Sequence, residues 1–197
     1  MARDYDFSEG YGPWLVDEIS WVYSLNKISK PPEEFGIFRD FKALWDSKRR
    51  EGRLPAWTDF AFEEFAPWWG QLALEDIIPG PEYDTVFRLW GTALTQLLDT
   101  ELTGKNLRST FDTAYNEIEI PLFERIAGEH LIVVSFGPMN WTNLGQWSIA
   151  DKVAFIQMPL ATDGEHVDKI LSLVLEIDDD SDLPWTPVNT GEAEPGA

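Results

Sequence analysis

The order in which hydrophobic periods follow one another restricts the fold of this chain more than any other feature. Apolar residues from 37 to 50 recur at every third or fourth position, which predicts an amphipathic helix. Helical spacing returns between Gly91 and Gly128. Five other runs have the alternation or composition of strands, two before Gly91 and three after Glu129. These runs are QLALEDIIPG, YDTVFRLWG, LIVVSFGPMN, DKVAFIQMPL and HVDKILSLVLEI.

Strands at both ends of the chain with helices between them predict an α+β domain with an antiparallel sheet. We expect the central helices to cover one face of the sheet. The chain has 10 Trp, several of them in its first 70 residues, and this Trp-rich front is expected to cover the other face.

The helical stretch is expected to contain three short helices. The first is Thr92–Leu98, and Thr103 is placed to cap a second that runs through Phe111. A third is expected to begin at Pro121, because proline suits the first turn of a helix, and to stop at Gly128.

The central stretch GTALTQLLDTELTGKNL contains a near match to a phosphate-binding loop. Such a loop needs a Gly where this chain has Asp99, and a hydroxyl residue where it has Asn106. It also needs a buried strand before it, whereas Ala93, Leu94, Leu97 and Leu98 have helical spacing. A nucleotide site is therefore not expected here, and Lys105 is expected to lie on an exposed surface.

Charge and composition exclude several classes of partner. A formal net charge of −20 argues against binding to nucleic acid or to an anionic membrane surface. The absence of Cys removes disulfides, thiolate catalysis and Cys-ligated metals. No apolar run approaches the ~20 residues of a membrane span, and the N-terminus does not have the pattern of a secretory signal. We expect a cytoplasmic protein.

Three parts of the chain are expected from these patterns. Residues 1–36 form a leader or cap, in which DEISWVYSL has the spacing of either a short helix or a strand. Residues 37–177 form the domain. Residues 178–197 form an acidic tail that is expected to be disordered, with Trp185 as its only anchor.

Three blocks give the chain a resemblance to a PAS domain, and more narrowly to the alphaproteobacterial family of single-domain PAS-like proteins. They are LWDSKRREGRLPAWTDF, FRLWGTALTQLLDTELTGKNL and QMPLATDGEHVDKILSLVLEI. The resemblance covers residues 38–177 and implies a PAS-like fold with a five-stranded antiparallel sheet, short helices on one face and an N-terminal flanking helix. The family tends to have Gly where this chain has Asp99, and Asp tolerates the left-handed backbone that the turn needs.

The resemblance also implies a small cavity between the sheet and the central helices. In the second strand either Phe87 and Leu89 or Arg88 and Trp90 would face it, and a solid core without a cavity is the alternative. Arg88 is expected to pair with Glu75 or Asp76. The candidate lining residues are Phe87, Arg88, Leu89, Trp90, His130, Phe136, Phe155, Gln157 and Leu173.

No catalytic or metal site is expected, because no nucleophile, base or ligand set converges. His130 stands where PAS-type haem sensors hold an axial His, although a favourable interaction with the end of the preceding helix explains it as well. His166 is expected to be solvated. Paired acids such as Glu117 and Glu119 are too common in a chain with 35 acidic residues to indicate acid–base chemistry, and no cofactor is expected.

The sequence therefore predicts a non-catalytic sensory module that binds a small apolar ligand, a protein partner, or both, with output through association or a homodimer. The flanking helix is expected to supply the partner surface through Phe38, Phe41, Leu44 and Trp45. Two alternatives from other classes remain. One is a carbohydrate-binding protein with exposed Trp platforms, and the other is a small α+β enzyme or a haem sensor that uses His130.

Overall fold

The structure, a computed structural model, describes residues 14–16 (backbone only), 21–50, 52–111, 113–138 and 152–177. The turn expected at Gly145 and the tail with Trp185 lie outside these residues. The strands are β1 (Trp14–Val16), β2 (Trp21–Lys27), β3 (Leu72–Ile78), β4 (Asp84–Trp90), β5 (Leu131–Pro138), β6 (Lys152–Leu160) and β7 (Lys169–Ile177). The helices are α1 (Arg39–Lys48), α2 (Thr92–Leu98), α3 (Leu107–Thr110) and α4 (Thr113–Glu129), with 3₁₀ segments at Pro32–Phe38, Trp57–Asp59 and Phe62–Trp68.

The described strands form one sheet in the order β1-β2-β5-β6-β7-β3-β4. Every neighbouring pair is antiparallel, so the predicted α+β class with an antiparallel sheet is confirmed. The sheet is larger than the expected five strands, because β1 and β2 from the N-terminal part extend it beyond β5. Part of the segment expected to be a separate leader therefore belongs to the sheet.

The helices match the predicted order but not every boundary. The bounds of α2 are those predicted, whereas α3 begins after Asn106 rather than at a Thr103 cap. α4 continues through Pro121 as one helix, so the predicted start at Pro121 is wrong. A proline inside a helix costs about 3 kcal/mol. Burial of Ile118, Leu122 and Ile126, at about 1.5–3 kcal/mol each, outweighs this cost.

Two hydrophobic clusters lie on opposite faces of the sheet. In β5, Val133 packs in the cluster beneath α2, α3 and α4, while Ile132 and Val134 pack in the other cluster. We call the first side the helix-covered face. The 3₁₀ segments and α1 form a layer over the other side, which we call the Trp-rich cover. The predicted division holds for Trp45, Trp57 and Trp68, whereas Trp21 packs on the helix-covered face.

The flanking helix α1 does not present the partner surface that the sequence predicts. Phe38, Phe41 and Trp45 are at most 1% exposed, and Leu44 is half-buried against the same cluster. The indole Nε1 of Trp45 donates a hydrogen bond to the carbonyl oxygen of Pro159 at 3.1 Å. The apolar stripe of α1 is thus buried against the chain's own sheet, because that sheet face offers the nearest apolar surface.

The DTELTGKN stretch closes the edge of the sheet at β4. Asp99 ends α2 in the left-handed conformation, with φ of 48°, as predicted. The backbone of Phe87 then exchanges hydrogen bonds with this stretch, accepting from Gly104 and donating to Lys105. The Lys105 side chain is exposed, as expected. The stretch therefore supplies backbone partners to an edge strand.

Candidate functional site

A line of buried polar side chains crosses the helix-covered face, which is otherwise apolar. Gln157 of β6 lies directly opposite Ser172 of β7, and Tyr23 of β2 lies opposite Ser135 of β5. These side chains share the face with Val133 and Val174. We call the set the polar stripe; it consists of Tyr23, Glu75, Thr85, Ser135, Gln157 and Ser172, each at most 8% exposed.

Glu119 of α4 is placed over one end of the polar stripe. Helical spacing puts it on the same side as Phe123 and Ile126, and it is 4% exposed. The Tyr23 hydroxyl donates to its Oε1 at 3.1 Å, and Gln157 Nε2 donates to its Oε2 at 3.4 Å. Burial raises the pKa of Glu119 to about 7, and these two hydrogen bonds oppose the shift.

Glu75 of β3 is the second buried carboxyl group on this face, and it is 3% exposed. The hydroxyl of Thr85 donates a hydrogen bond to its Oε2 at 2.5 Å. Burial raises the pKa of Glu75 to about 8 against that hydrogen bond, and the negative charges of Glu119 and Asp84 raise it further. The charge of Glu119 therefore acts on Glu75, and burial favours the protonated form of both carboxyl groups.

No basic side chain among the described residues compensates these acids. The charges that act on Glu75 are acidic, and the hydrogen-bond donors to Glu119 are neutral. Gln157 Oε1, Ser172 Oγ and the Tyr83 hydroxyl are buried without a hydrogen-bond partner in the described part of the chain. Most buried polar atoms in proteins are paired. Trp90 Nε1 is unpaired as well, so the helix-covered face holds unused capacity both to accept and to donate hydrogen bonds.

Aromatic rings flank the polar stripe at both ends. Near Tyr23, the ring of Trp21 lies 5.5 Å from that of Phe155, measured between centroids. Near Glu75, Phe87 lies opposite in the β3–β4 register and is 5.1 Å from Trp90. A ligand along the stripe would therefore meet a carboxyl group and aromatic surface toward each end.

A β-bulge in β4 decides which predicted residues face the site. Glu75 pairs with Phe87 and Leu74 with Leu89, so Arg88 has no opposite residue. The extra residue places Phe87 and Trp90 together on the helix-covered face and Leu89 on the other. The predicted pairings of Phe87 with Leu89 and of Arg88 with Trp90 are therefore wrong.

Arg88 does not line the site. Its Nε donates to Asp76 Oδ2 at 2.5 Å, so the predicted ion pair forms with Asp76 and not with Glu75. The Arg88 side chain is 59% exposed.

The other predicted lining residues divide between the two faces. Phe155 and Gln157 lie on the helix-covered face. Phe136 and Leu173 pack in the cluster beneath the Trp-rich cover, so their predicted place among the residues facing the central helices is wrong. His130 follows α4 with a positive φ of 52° and is half-buried. Within the described residues, no group of three or more potential ligand side chains could hold a metal ion. His166 is exposed and contacts Asp163, as expected for a solvated residue.

Sequence reasoning missed the two acids that define the site. Glu119 was named with Glu117 only as one of a pair of acids too common to indicate chemistry, although the spacing of Glu119 with Leu122 and Ile126 places it on a buried helix side. Glu75 alternates with Ala73 and Ile77 in β3, a pattern that puts all three on one face. Acid residues at apolar positions were the available signal.

Comparisons with protein-family models, curated proteins and solved structures find no match to this chain. The case for a function therefore rests on the geometry of the site. Of the helices in the described ranges, none has the length and apolar character needed to cross a membrane.

Proposed function

We propose that the chain is a cytoplasmic, non-catalytic, PAS-like sensory module that binds a small ligand between the helix-covered face and α4. The observation that carries this proposal is the buried, partly unpaired polar stripe beneath Glu119. A solid core would be expected to hold apolar side chains there, because a buried polar group without a partner costs about 1–3 kcal/mol. Sites that bind small molecules combine apolar walls with a few convergent polar groups.

The strand order supports the PAS-like part of the proposal. The strands that correspond to the five predicted runs lie in the order β4-β3-β7-β6-β5, with α2, α3 and α4 between β4 and β5 in the chain. This arrangement resembles that of a PAS fold. The strands β1 and β2 and the Trp-rich cover lie outside this five-stranded arrangement.

The sheet provides a physical route from the ligand to the opposite surface. Gln157 faces the site, while its neighbours Ile156 and Met158 in β6 pack beneath the Trp-rich cover. Pro159 of the same strand accepts the hydrogen bond from Trp45. A ligand that favours one position of β6 would therefore shift the population of arrangements of the cover.

The output surface in this proposal is an exposed aromatic pair on the Trp-rich cover. Phe62 and Trp69 are 53% and 54% exposed, and their rings stack at 5.7 Å. They take the role that the sequence assigns to α1. We expect Phe62→Ser/Trp69→Ser to abolish self-association or partner binding in sedimentation velocity, with Glu63→Gln as the control. Unchanged association in the double variant would remove this surface from the proposal.

A carbohydrate-binding protein would need several exposed Trp side chains, and the described part of the chain offers few. Of the six Trp whose side chains are described, only Trp69 is exposed. Trp21 and Trp45 are buried, so the Trp content mostly builds the core.

Native mass spectrometry of the full chain, purified without denaturation, tests the ligand site. We expect a retained small molecule, or a rise in melting temperature when small aromatic amines or alcohols are added. A bare polypeptide mass together with no response to either class of compound at millimolar concentration would contradict the proposal.

A further inference from the structure

The sign of the charges around the polar stripe restricts the chemistry of its ligand. Two carboxyl groups, Glu75 and Glu119, face the region, and no basic side chain among the described residues acts on either. An anionic ligand would find no basic partner among the described residues of this region, whereas a cation can pair with a carboxyl group once that group ionises. The site therefore favours a ligand that is neutral or positively charged.

Two unpaired oxygens next to Glu119 can accept hydrogen bonds from a ligand, those of Gln157 and Ser172. Gln157 is 5% exposed, its Nε2 points to Glu119, and its Oε1 has no partner in the described residues. Ser172 lies opposite Gln157 and is 3% exposed, and its Oγ is also unpaired. An amide oxygen can only accept hydrogen bonds. An ionised carboxylate can likewise only accept them, whereas a protonated carboxyl group can also donate one. A group with several N–H donors would satisfy these oxygens together.

The donor set suits an organic cation better than a divalent metal ion. Calcium sites collect about six to eight oxygen ligands, and no group of three or more potential metal-ligand side chains exists in the described residues. The rings of Trp21 and Phe155 at one end and Phe87 at the other offer faces that attract organic cations.

On this basis we propose that the ligand is a small organic cation with N–H donors, such as an aromatic amine, an amidine or a protonated nitrogen heterocycle, held by Glu119 and Glu75 with Gln157 and Ser172. This inference rests on the proposed function and specifies its ligand. One carboxylate pairs with the cationic nitrogen, and the rings contact its apolar body.

Binding of such a cation is expected to release a proton from the buried carboxyl groups. A monocation is balanced by one carboxylate, so binding releases one proton from the Glu75–Glu119 pair to solvent, and the other carboxyl group stays protonated. A primary amine remains protonated below about pH 10. Affinity should therefore rise with pH through the range in which Glu119 and Glu75 ionise, because protons compete with the cation for the same oxygens.

Several other groups face these two acids and influence the pH range in which they ionise. Glu75 is influenced by Thr85, by Asp84 of β4 and by Glu119 of α4. Glu119 is hydrogen-bonded by Tyr23 of β2 and Gln157 of β6. In addition to burial, the charge of Glu75 raises the pKa of Tyr83, and those of Glu119 and Glu75 raise the pKa of Tyr115, so both phenols stay neutral.

Isothermal titration calorimetry with the full chain tests the inference directly. Phenethylamine is the cationic probe, and 2-phenylethanol is a neutral probe of nearly the same shape. At pH 8.5 we expect phenethylamine to bind at least about tenfold more tightly, which corresponds to ~1.4 kcal/mol. Its affinity should fall as the pH is lowered to 6. Titrations in two buffers of different ionisation enthalpy should show protons released on binding.

Glu119→Gln and Glu75→Gln identify the residues. Removing one charged partner of a buried pair should weaken phenethylamine binding by about thirtyfold or more, with little effect on 2-phenylethanol. Glu117→Gln, on the same helix, is the matched control and should bind like the original chain. Circular dichroism checks that each variant is folded, and proton release by the unchanged chain needs no variant.

The outcomes separate this inference from the function on which it rests. Equal or tighter binding of 2-phenylethanol, or binding of phenethylamine that Glu119→Gln does not weaken, would overturn the cationic ligand while leaving a ligand site. Absence of binding by both probes, with a bare polypeptide mass in native mass spectrometry, would overturn both.

Discussion

The two faces of the sheet differ in whether their buried ionisable side chains have a partner of opposite charge. Beneath the Trp-rich cover, Lys42 is fully buried, but Asp46 pairs with its Nζ at 2.5 Å. The rings of Phe35 and Trp45 lie 5.4 and 5.3 Å from that Nζ. On the helix-covered face, Glu75 and Glu119 are equally buried and have only neutral donors among the described residues. Removing the partner of a buried charge is strongly destabilising, whereas a buried carboxyl group without a charged partner is held protonated and is a candidate to pair with a ligand.

The largest effect is expected where the Trp-rich cover is most tightly packed. Trp45→Ala removes a fully buried ring and its hydrogen bond to Pro159, and should lower the free energy of unfolding by about 3–5 kcal/mol. Trp69→Ala is the control on the same layer, and its exposed side chain should cost under about 1 kcal/mol. Urea denaturation followed by circular dichroism gives both values. Equal losses would show that the cover is not anchored at Trp45.

Breaking the buried pair of Lys42 and Asp46 should lower the free energy of unfolding somewhat less than Trp45→Ala does. Burial lowers the pKa of Lys42, while the hydrogen bond and charge of Asp46 act in the opposite direction. Asp46→Ala leaves the ammonium group without its acid and should destabilise the chain by about 3 kcal/mol near pH 7. Asp40→Ala, at an exposed position of the same helix, should be close to neutral. If thermal denaturation gives the same shift for both variants, Lys42 is not compensated in the way described.

The uncompensated acids should appear in the pH dependence of stability. The pKa of Glu75 is about 8 when folded and 4.5 as its ordinary value, so the unfolded chain loses this proton first as pH rises. The free energy of unfolding should therefore fall between about pH 5 and pH 8, by up to about 1.4 kcal/mol per pH unit for each such group. Glu75→Gln should remove part of that slope, while Glu82→Gln should not. A slope that is identical in both variants would contradict a raised pKa.

The smallest effect is expected at the β4 bulge. Arg88 is 59% exposed and pairs with Asp76, away from the polar stripe. Arg88→Gln should change stability by less than about 1 kcal/mol and leave phenethylamine binding unchanged. A tenfold loss of affinity in calorimetry would mean that Arg88 faces the ligand after all.

Regular periods in the sequence predict most of the fold. The bounds of α2 and the positions of the last three strands follow from apolar spacing alone, because each element buries one face. Periodicity could not reveal the bulge at Arg88, since strict alternation has no place for an extra residue. The course of α4 through Pro121 depends on packing against the sheet, which outweighs local preference.

The site was harder to predict than the fold. Gln157, Phe87, Trp90 and Phe155 were placed among the candidate lining residues, but the sequence did not distinguish the two faces of the sheet. Phe136 and Leu173 were therefore included wrongly. Glu75 and Glu119 come from elements far apart in the chain, and only the fold brings their buried carboxyl groups to one region.

Methyl NMR of the full chain with added phenethylamine tests the central claim most directly, because it reports on the two faces separately. Val133 and Val174 lie on the helix-covered face, whereas Val134 and Ile156 lie beneath the Trp-rich cover. We predict that the amine shifts the methyl signals of Val133 and Val174 most, and that it shifts the signal of Ile156 less, because β6 connects the site to the Trp-rich cover. Shifts confined to residues beneath the Trp-rich cover would contradict a ligand site beneath Glu119. So would the absence of shifts on both faces at saturating amine.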